Sequence, residues 1–97
     1  MKPPVSLAST ARIPDGVVFE KLQDEMVLLN LHTGIYFGLN HVGARIWQLI
    51  QAHQQSPLDR VLEVLVGEYD VKPDRCAGDL LALVAELEEH RLLELVH

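Results

Sequence analysis

Five histidines, a single cysteine and a run of glutamates are the side chains whose types could do chemistry. A metal site usually announces itself by ligand spacing on one element. His32, His41, His53, His90 and His97 show none, since no two stand four apart on one helix and none belongs to an HExxH pattern. Cys76 has no CxxC partner and can form no internal disulfide. It falls on an apolar helical stripe, where a cysteine acts as a small hydrophobe more often than as a nucleophile. Ser6, Ser9 and Thr10 have no histidine near them in sequence to serve as a base. The glycines at 16, 34, 38, 43, 67 and 78 make no phosphate-cradling GxGxxG loop. Glu86, Glu88 and Glu89 read as a solvated helix face rather than a paired acid and base. The residue types therefore argue against catalysis, and no metal or cofactor is expected.

Length and charge narrow the classes further. At 97 residues the chain fits one domain, and 48% hydrophobic content supports a core without metal or disulfides. The net charge is -6, with basic residues scattered rather than striped. Nucleic-acid binders need a basic footprint to displace counterions, and anionic membranes also repel such a chain. No apolar run suits a signal peptide or a membrane span, so a soluble cytoplasmic protein is expected.

The remaining chemistry is that of the backbone, and the elements decide where it is exposed. Residues 1–13 are weakly patterned, with a short strand open around Val5 and Leu7. Pro14-Asp15-Gly16 is a turn signal opening the domain proper, 14–97. Val17 to Leu22 reads as a strand, Gln23-Asp24 as a reversal and Glu25 to Leu31 as a second strand. The apolar run in that second strand suggests cover, at least in part, on both faces. His32-Thr33-Gly34 suits a hairpin loop with Gly34 left-handed, and a third strand runs from Ile35 to Gly38 or Leu39.

The hydrophobic period then changes to the helical one. Asn40 is a good N-cap, and Val42, Ile46, Leu49 and Ile50 define one face, with Trp47 beside it in the core. Ser56 at N-cap and Pro57 at the first helical position open a second helix carrying Leu58, Val61, Leu62, Leu65, Val66 and Tyr69. Pro73 opens a third, whose stripe is Cys76, Leu80, Leu83, Val84 and Leu87. Arg91 to Val96 is either a closing strand or a helical continuation. A three-stranded antiparallel meander followed by three helices is an α+β domain with helices on one face of the sheet.

In such a meander the third strand is an edge, and Ile35-Tyr36-Phe37-Gly38 carries neither charge nor proline to defend it. Either helices cover this edge, or a partner peptide adds a strand there.

The stretch from Val27 to Trp47 resembles the PqqD-like family. It includes His32-Thr33-Gly34-Ile35-Tyr36-Phe37-Gly38, Leu39-Asn40 and Gly43-Ala44-Arg45-Ile46-Trp47. Tyr69-Asp70-Val71, Asp79-Leu80 and Leu87 to Leu93 extend the likeness over roughly residues 14–95. It is nearest to stand-alone leader-peptide-binding proteins (RiPP recognition elements) of lasso-peptide biosynthesis. One departure is His90-Arg91, where many relatives place a glycine to end the helix.

The resemblance implies a winged-helix-like fold without catalytic residues. A precursor's leader peptide would be added to the third strand and presented to a separate leader peptidase or other maturation enzyme. Carried over by position, the leader contacts are Ile35, Tyr36, Phe37 and Gly38 on the strand, with Cys76, Asp79, Leu80, Leu83, Val84 and Leu87 on the third helix. Ordinary core packing is the alternative for each of these helix residues. On the strand reading, Phe37→Pro should remove an edge hydrogen bond and weaken docking. The competing functions are a winged-helix DNA-binding regulator, disfavoured by the acidic third helix, and a dimerisation module without a peptide ligand.

Overall fold

Period-two alternation sets the sheet, and a change to helical period sets its cover. A computed structural model describes residues 5–96. Residues 1–4 of the N-terminal segment, and His97 among the histidines, lie outside the described residues. The elements are β1 (Thr10–Arg12), β2 (Val17–Leu22), β3 (Glu25–Asn30), β4 (Tyr36–Leu39), α1 (His41–Ala52), α2 (Leu58–Glu68), α3 (Pro73–Glu89) and β5 (Glu94–Val96). Strands β2, β3 and β4 form the antiparallel meander in that order, so β4 is an edge. The fold is the expected α+β, winged-helix-like arrangement of a meander followed by three helices.

Two short strands add a separate ribbon, in which β1 pairs antiparallel with β5. This resolves the open reading of the last residues in favour of a strand. The third meander strand starts at Tyr36, one residue later than expected, because Ile35 lies in the connection that follows the turn at 31–33. Gly34 takes φ 75° there, and Gln23 takes φ 59° at the first reversal.

The meander has one covered face. Met26, Leu28 and Asn30 of β3 point inward and are buried, while Val27 and Leu29 alternate outward and are half-exposed. The expectation of cover on both faces of β3 is therefore corrected to cover on one. Helix α1 meets the sheet, and Trp47 of α1 joins Leu80, Val84 and Leu87 of α3 in the fully buried core. Each such leucine contributes about 2 kcal/mol of transfer free energy. Trp47 stands edge-on to Phe19 at 6.3 Å between ring centroids.

Helix starts are set by different partners. The Asn40 side chain accepts the Gly43 N–H at 2.9 Å and caps α1 as expected. The second helix departs from expectation. It begins at Leu58, with Pro57 as its cap residue and no side-chain cap from Ser56. Its first amides instead donate to the N-terminal segment, Leu58 N–H to the Ser9 carbonyl (2.8 Å) and Asp59 N–H to the Leu7 carbonyl (3.0 Å). Backbone acceptors brought from outside the helix satisfy donors that would otherwise be orphaned.

The end of α3 explains how the chain does without the expected glycine. Arg91 adopts φ 60°. Leu92 N–H donates to the Leu87 carbonyl (2.8 Å) and Arg91 N–H to the Glu88 carbonyl (3.0 Å), which is the Schellman pattern. Leu87 and Leu92, both fully buried, complete it. The Arg91 carbonyl then accepts the Asn30 Nδ2 at 2.7 Å.

Two stability predictions follow from this junction. Arg91→Gly relieves the left-handed penalty and is expected to stabilise the fold by about 1 kcal/mol. Asn30→Ala leaves the part-buried Arg91 carbonyl and the His32 and Thr33 amides without this partner and is expected to cost about 2 kcal/mol. Urea unfolding checks both, and an Arg91→Gly variant less stable than the parent would contradict the backbone account.

Candidate functional site

The free edge of β4 is defined by hydrogen-bond parity. Asn30 N–H donates to the Ile35 carbonyl at 3.0 Å. Pairing in the same register sets Leu28 opposite Phe37 and Met26 opposite Leu39. Hydrogen-bonded and non-bonded pairs alternate in an antiparallel ladder. Phe37 and Leu39 therefore spend their amide and carbonyl groups on β3. Tyr36 and Gly38 direct theirs away from the sheet. This corrects the reasoning for Phe37→Pro: the Phe37 N–H serves the ladder, and the amides facing outward are those of Tyr36 and Gly38.

A cleft of about 480 Å³ runs beside this edge. Phe37, Gly38, Leu39 and Asn40 form one wall, and Asp79, Leu83 and Glu86 of α3 form the other. Val42, Gly43 and Ile46 of α1 lie between the walls. A second hollow of about 650 Å³ shares Val42, Ile46 and Asp79 with the first and continues it past Leu65, Tyr69, Val71 and Cys76. Asp70, Lys72 and Arg75 also line it. The ring of Phe37 packs edge-on against His90 at 5.5 Å between centroids, and the His90 Nδ1 lies 2.8 Å from the Glu86 carbonyl oxygen. A larger hollow of about 960 Å³ beside the β1–β5 ribbon mixes Arg12, Asp15, His32, Glu88, Arg91 and Glu94. Its mixed charges favour no single ligand sign.

The residues singled out from sequence separate into distinct places. Phe37 and Gly38 line the cleft, and Tyr36 stands 69% exposed at the rim of the outer face. Ile35 is half-buried just before β4. Cys76, Asp79 and Leu83 line the two hollows. Leu80, Val84 and Leu87 are fully buried in the core and present no surface to the cleft. Their stripe packs in the core, where α3 meets α2, so the ordinary-packing alternative describes these three in this structure.

Sequence reasoning missed Val42, Ile46, Tyr69, Val71 and Glu86 as cleft residues. Their signal was ambiguous: Val42 and Ile46 look like any core face of α1, yet Val42 is 36% exposed.

The α3 wall carries Asp79 and Glu86, and no basic residue faces them from the β4 wall. In the hollow that continues the cleft, Lys72 and Arg75 line the surface together with Asp79. Burial, and then the nearby Asp79 carboxylate, push the Cys76 thiol above its ordinary value. Its nucleophilic thiolate is thereby disfavoured. Among the described residues no three His, Cys, Asp or Glu side chains group to hold a metal. No helix among them is long and apolar enough to cross a membrane.

Comparison with known proteins adds family and structural matches. The model of a family described as coenzyme PQQ synthesis protein D (PqqD) matches residues 25–93. The solved structure of TbiB1 in complex with the TbiA(beta) leader peptide is similar, with 37% identity and a TM-score of 0.77. That match covers 86% of this chain and 94% of the other. A lasso peptide synthetase B1 complexed with the leader peptide is similar at 28% identity and TM-score 0.70, covering 87% of this chain and 96% of the other. A search of curated proteins finds no match.

The raised thiol gives a direct test of the cleft's electrostatics. At pH 8, Cys76 is expected to alkylate with iodoacetamide more slowly in the folded protein than in urea, and Asp79→Asn is expected to speed the folded reaction. Mass spectrometry over time reads both, and equal rates in folded and unfolded chain would contradict the assignment.

Proposed function

The chain belongs to the PqqD family, and we propose that it is a non-catalytic recognition element for the leader of a lasso-type precursor peptide. The observation that carries this reading is the β4 edge, with its outward Tyr36 and Gly38 peptide groups across a cleft from α3. Strand addition there lets backbone hydrogen bonds supply affinity and the cleft supply selectivity. The two similar structures, each holding a leader peptide, support the same use of this chain.

The leader strand lies antiparallel to β4. Its residues directly opposite Tyr36 and Gly38 exchange hydrogen bonds with them, and their side chains point to the outer face. The residues between them point inward, towards Phe37 and Leu83. Asp79 and Glu86 favour a basic neighbour, and the hollow at Val42, Tyr69, Val71 and Cys76 takes a large apolar one. On this reading the α3 contacts are Cys76, Asp79 and Leu83, with Leu80, Val84 and Leu87 holding the helix at the right distance. The domain of residues 14–97 binds the leader and delivers it to a separate leader peptidase or other maturation enzyme in the cytoplasm.

The test uses two substitutions at one site. A Cβ at Gly38 meets nothing within 4 Å, so Gly38→Ala keeps both space and amide. Gly38→Pro deletes the outward N–H and leaves the β3 ladder intact. Fluorescence anisotropy with a labelled leader should show near-parental affinity for Gly38→Ala and a loss of about tenfold or more for Gly38→Pro. Equal affinity for leader and scrambled peptide, or an unaffected Gly38→Pro variant that remains folded, would sink the reading.

A further inference from the structure

The meander has a second edge, at β2, and no described strand pairs with β2 beyond β3. Every residue from Val18 to Leu22 is exposed, including Val18, Phe19 and Leu22. Helix α1 packs across β3 and β4 and leaves β2 open. An exposed edge strand carrying Val, Phe and Leu is a template for a further strand.

Hydrogen-bond parity defines what this edge offers. Leu31 N–H donates to the Gly16 carbonyl at 2.8 Å. In the same register Val18 stands opposite Leu29, Glu20 opposite Val27 and Leu22 opposite Glu25. Val18, Glu20 and Leu22 therefore spend their backbone groups on β3, while Phe19 and Lys21 direct theirs outward. The Val17 carbonyl also faces outward, and its N–H closes the turn on the Pro14 carbonyl at 3.3 Å.

The strand that fits these groups is another β2. Placed antiparallel about a two-fold axis at Phe19, two copies overlap along the whole strand. Phe19 then faces Phe19, Val17 faces Lys21 and Val18 faces Glu20. The Phe19 pair extends the edge-on contact that each ring makes with Trp47. A slip of two residues one way sets Glu20 against Glu20, which opposes pairing. A slip the other way runs the ladder into the turn at Asp15 and Gly16.

Charge supports the same register. A lysine on an edge strand usually guards it against an incoming strand. Here the incoming copy brings Asp15, two residues before Val17 and so diagonal to Lys21, within reach of a long side chain. Neither Lys21 nor Asp15 makes an ion pair among the described residues. The two-fold axis makes this contact twice.

We propose that the β2 edge binds a second copy of this chain, joining two meanders into one six-stranded antiparallel sheet. Both β4 edges then lie at the outer ends of that sheet, and each copy keeps its own cleft.

The experiment is sedimentation equilibrium on the full-length protein over a concentration series. Wild type should show a reversible monomer–dimer equilibrium. Lys21→Pro deletes an outward N–H from each copy and leaves the β3 ladder intact, as Pro is tolerated on an edge. It should weaken dimerisation by about tenfold or more. Lys21→Glu should weaken it in the same direction, and Asp15→Lys/Lys21→Glu should restore it. Circular dichroism checks that each variant is folded.

Four results overturn the proposal. Wild type may stay monomeric at roughly 0.5 mM, or folded Lys21→Pro may dimerise as wild type does. The charge-swapped double variant may dimerise no better than Lys21→Glu. Finally, saturating labelled leader may dissociate the wild-type dimer, which would place the contact at β4 instead.

Discussion

Both walls of the cleft are held through one buried amide. The Asn30 side chain donates from Nδ2 to the Arg91 carbonyl at 2.7 Å, and its Oδ1 accepts the His32 and Thr33 amides at 2.8 and 3.1 Å. Its backbone N–H meets the Ile35 carbonyl at 3.0 Å, and its carbonyl accepts the Gly34 N–H at 2.8 Å. The side chain thus ties the hairpin loop before β4 to the residue that ends α3. A buried polar group satisfied in this way specifies one arrangement, since any shift leaves partners unpaired at a cost far above thermal energy. The spacing between the β4 edge and α3 is a consequence of that junction. It also accounts for Arg91 being held at φ 60° without glycine's freedom, because the Schellman bonds and the Asn30 contact together fix the turn.

An open edge next to a helix is a delicate arrangement. If the stripe of α3 were turned to face β4, the strand edge would be covered and lost. Leu80, Val84 and Leu87 prevent this by anchoring α3 in the core. Leu83 and Asp79, on an adjacent part of the helix surface, are then left to face the cleft. Burial on one side of the helix and exposure on the other are one packing decision, and the cleft is the space it leaves.

Much of this was legible from residue types alone. The turn glycine at 34, the Asn40 cap, the existence of strands β2 and β3 and the buried Trp47 are local signals, and each describes the molecule. Three features were out of reach for physical reasons. The start of α2 depends on carbonyls of Leu7 and Ser9, which are distant in sequence, so Ser56 was credited with a cap it does not make. The parity of β4 depends on which pair closes the hairpin, and a residue pattern does not reveal that Phe37 bonds inward while Gly38 bonds outward. The stripe on α3 spans a broad arc of the helix. Periodicity identifies the arc, but only packing separates its core side, at Leu80 and Val84, from its cleft side, at Leu83 and Cys76. Strands of three residues, such as β1 and β5, are too short for a period to register.

The ribbon has a mechanical meaning. Thr10 pairs with Val96, and Arg12 pairs with Glu94. The rung nearest both outgoing ends of the chain is therefore the outermost one. Tension applied through those ends peels the ribbon one rung at a time, instead of shearing all its rungs together. On the N-terminal side the Leu7 and Ser9 carbonyls, which hold the start of α2, precede Thr10 and take the load before the ribbon does. Under traction the molecule yields first at this clasp, while the strand edge and the helix opposite it keep their spacing.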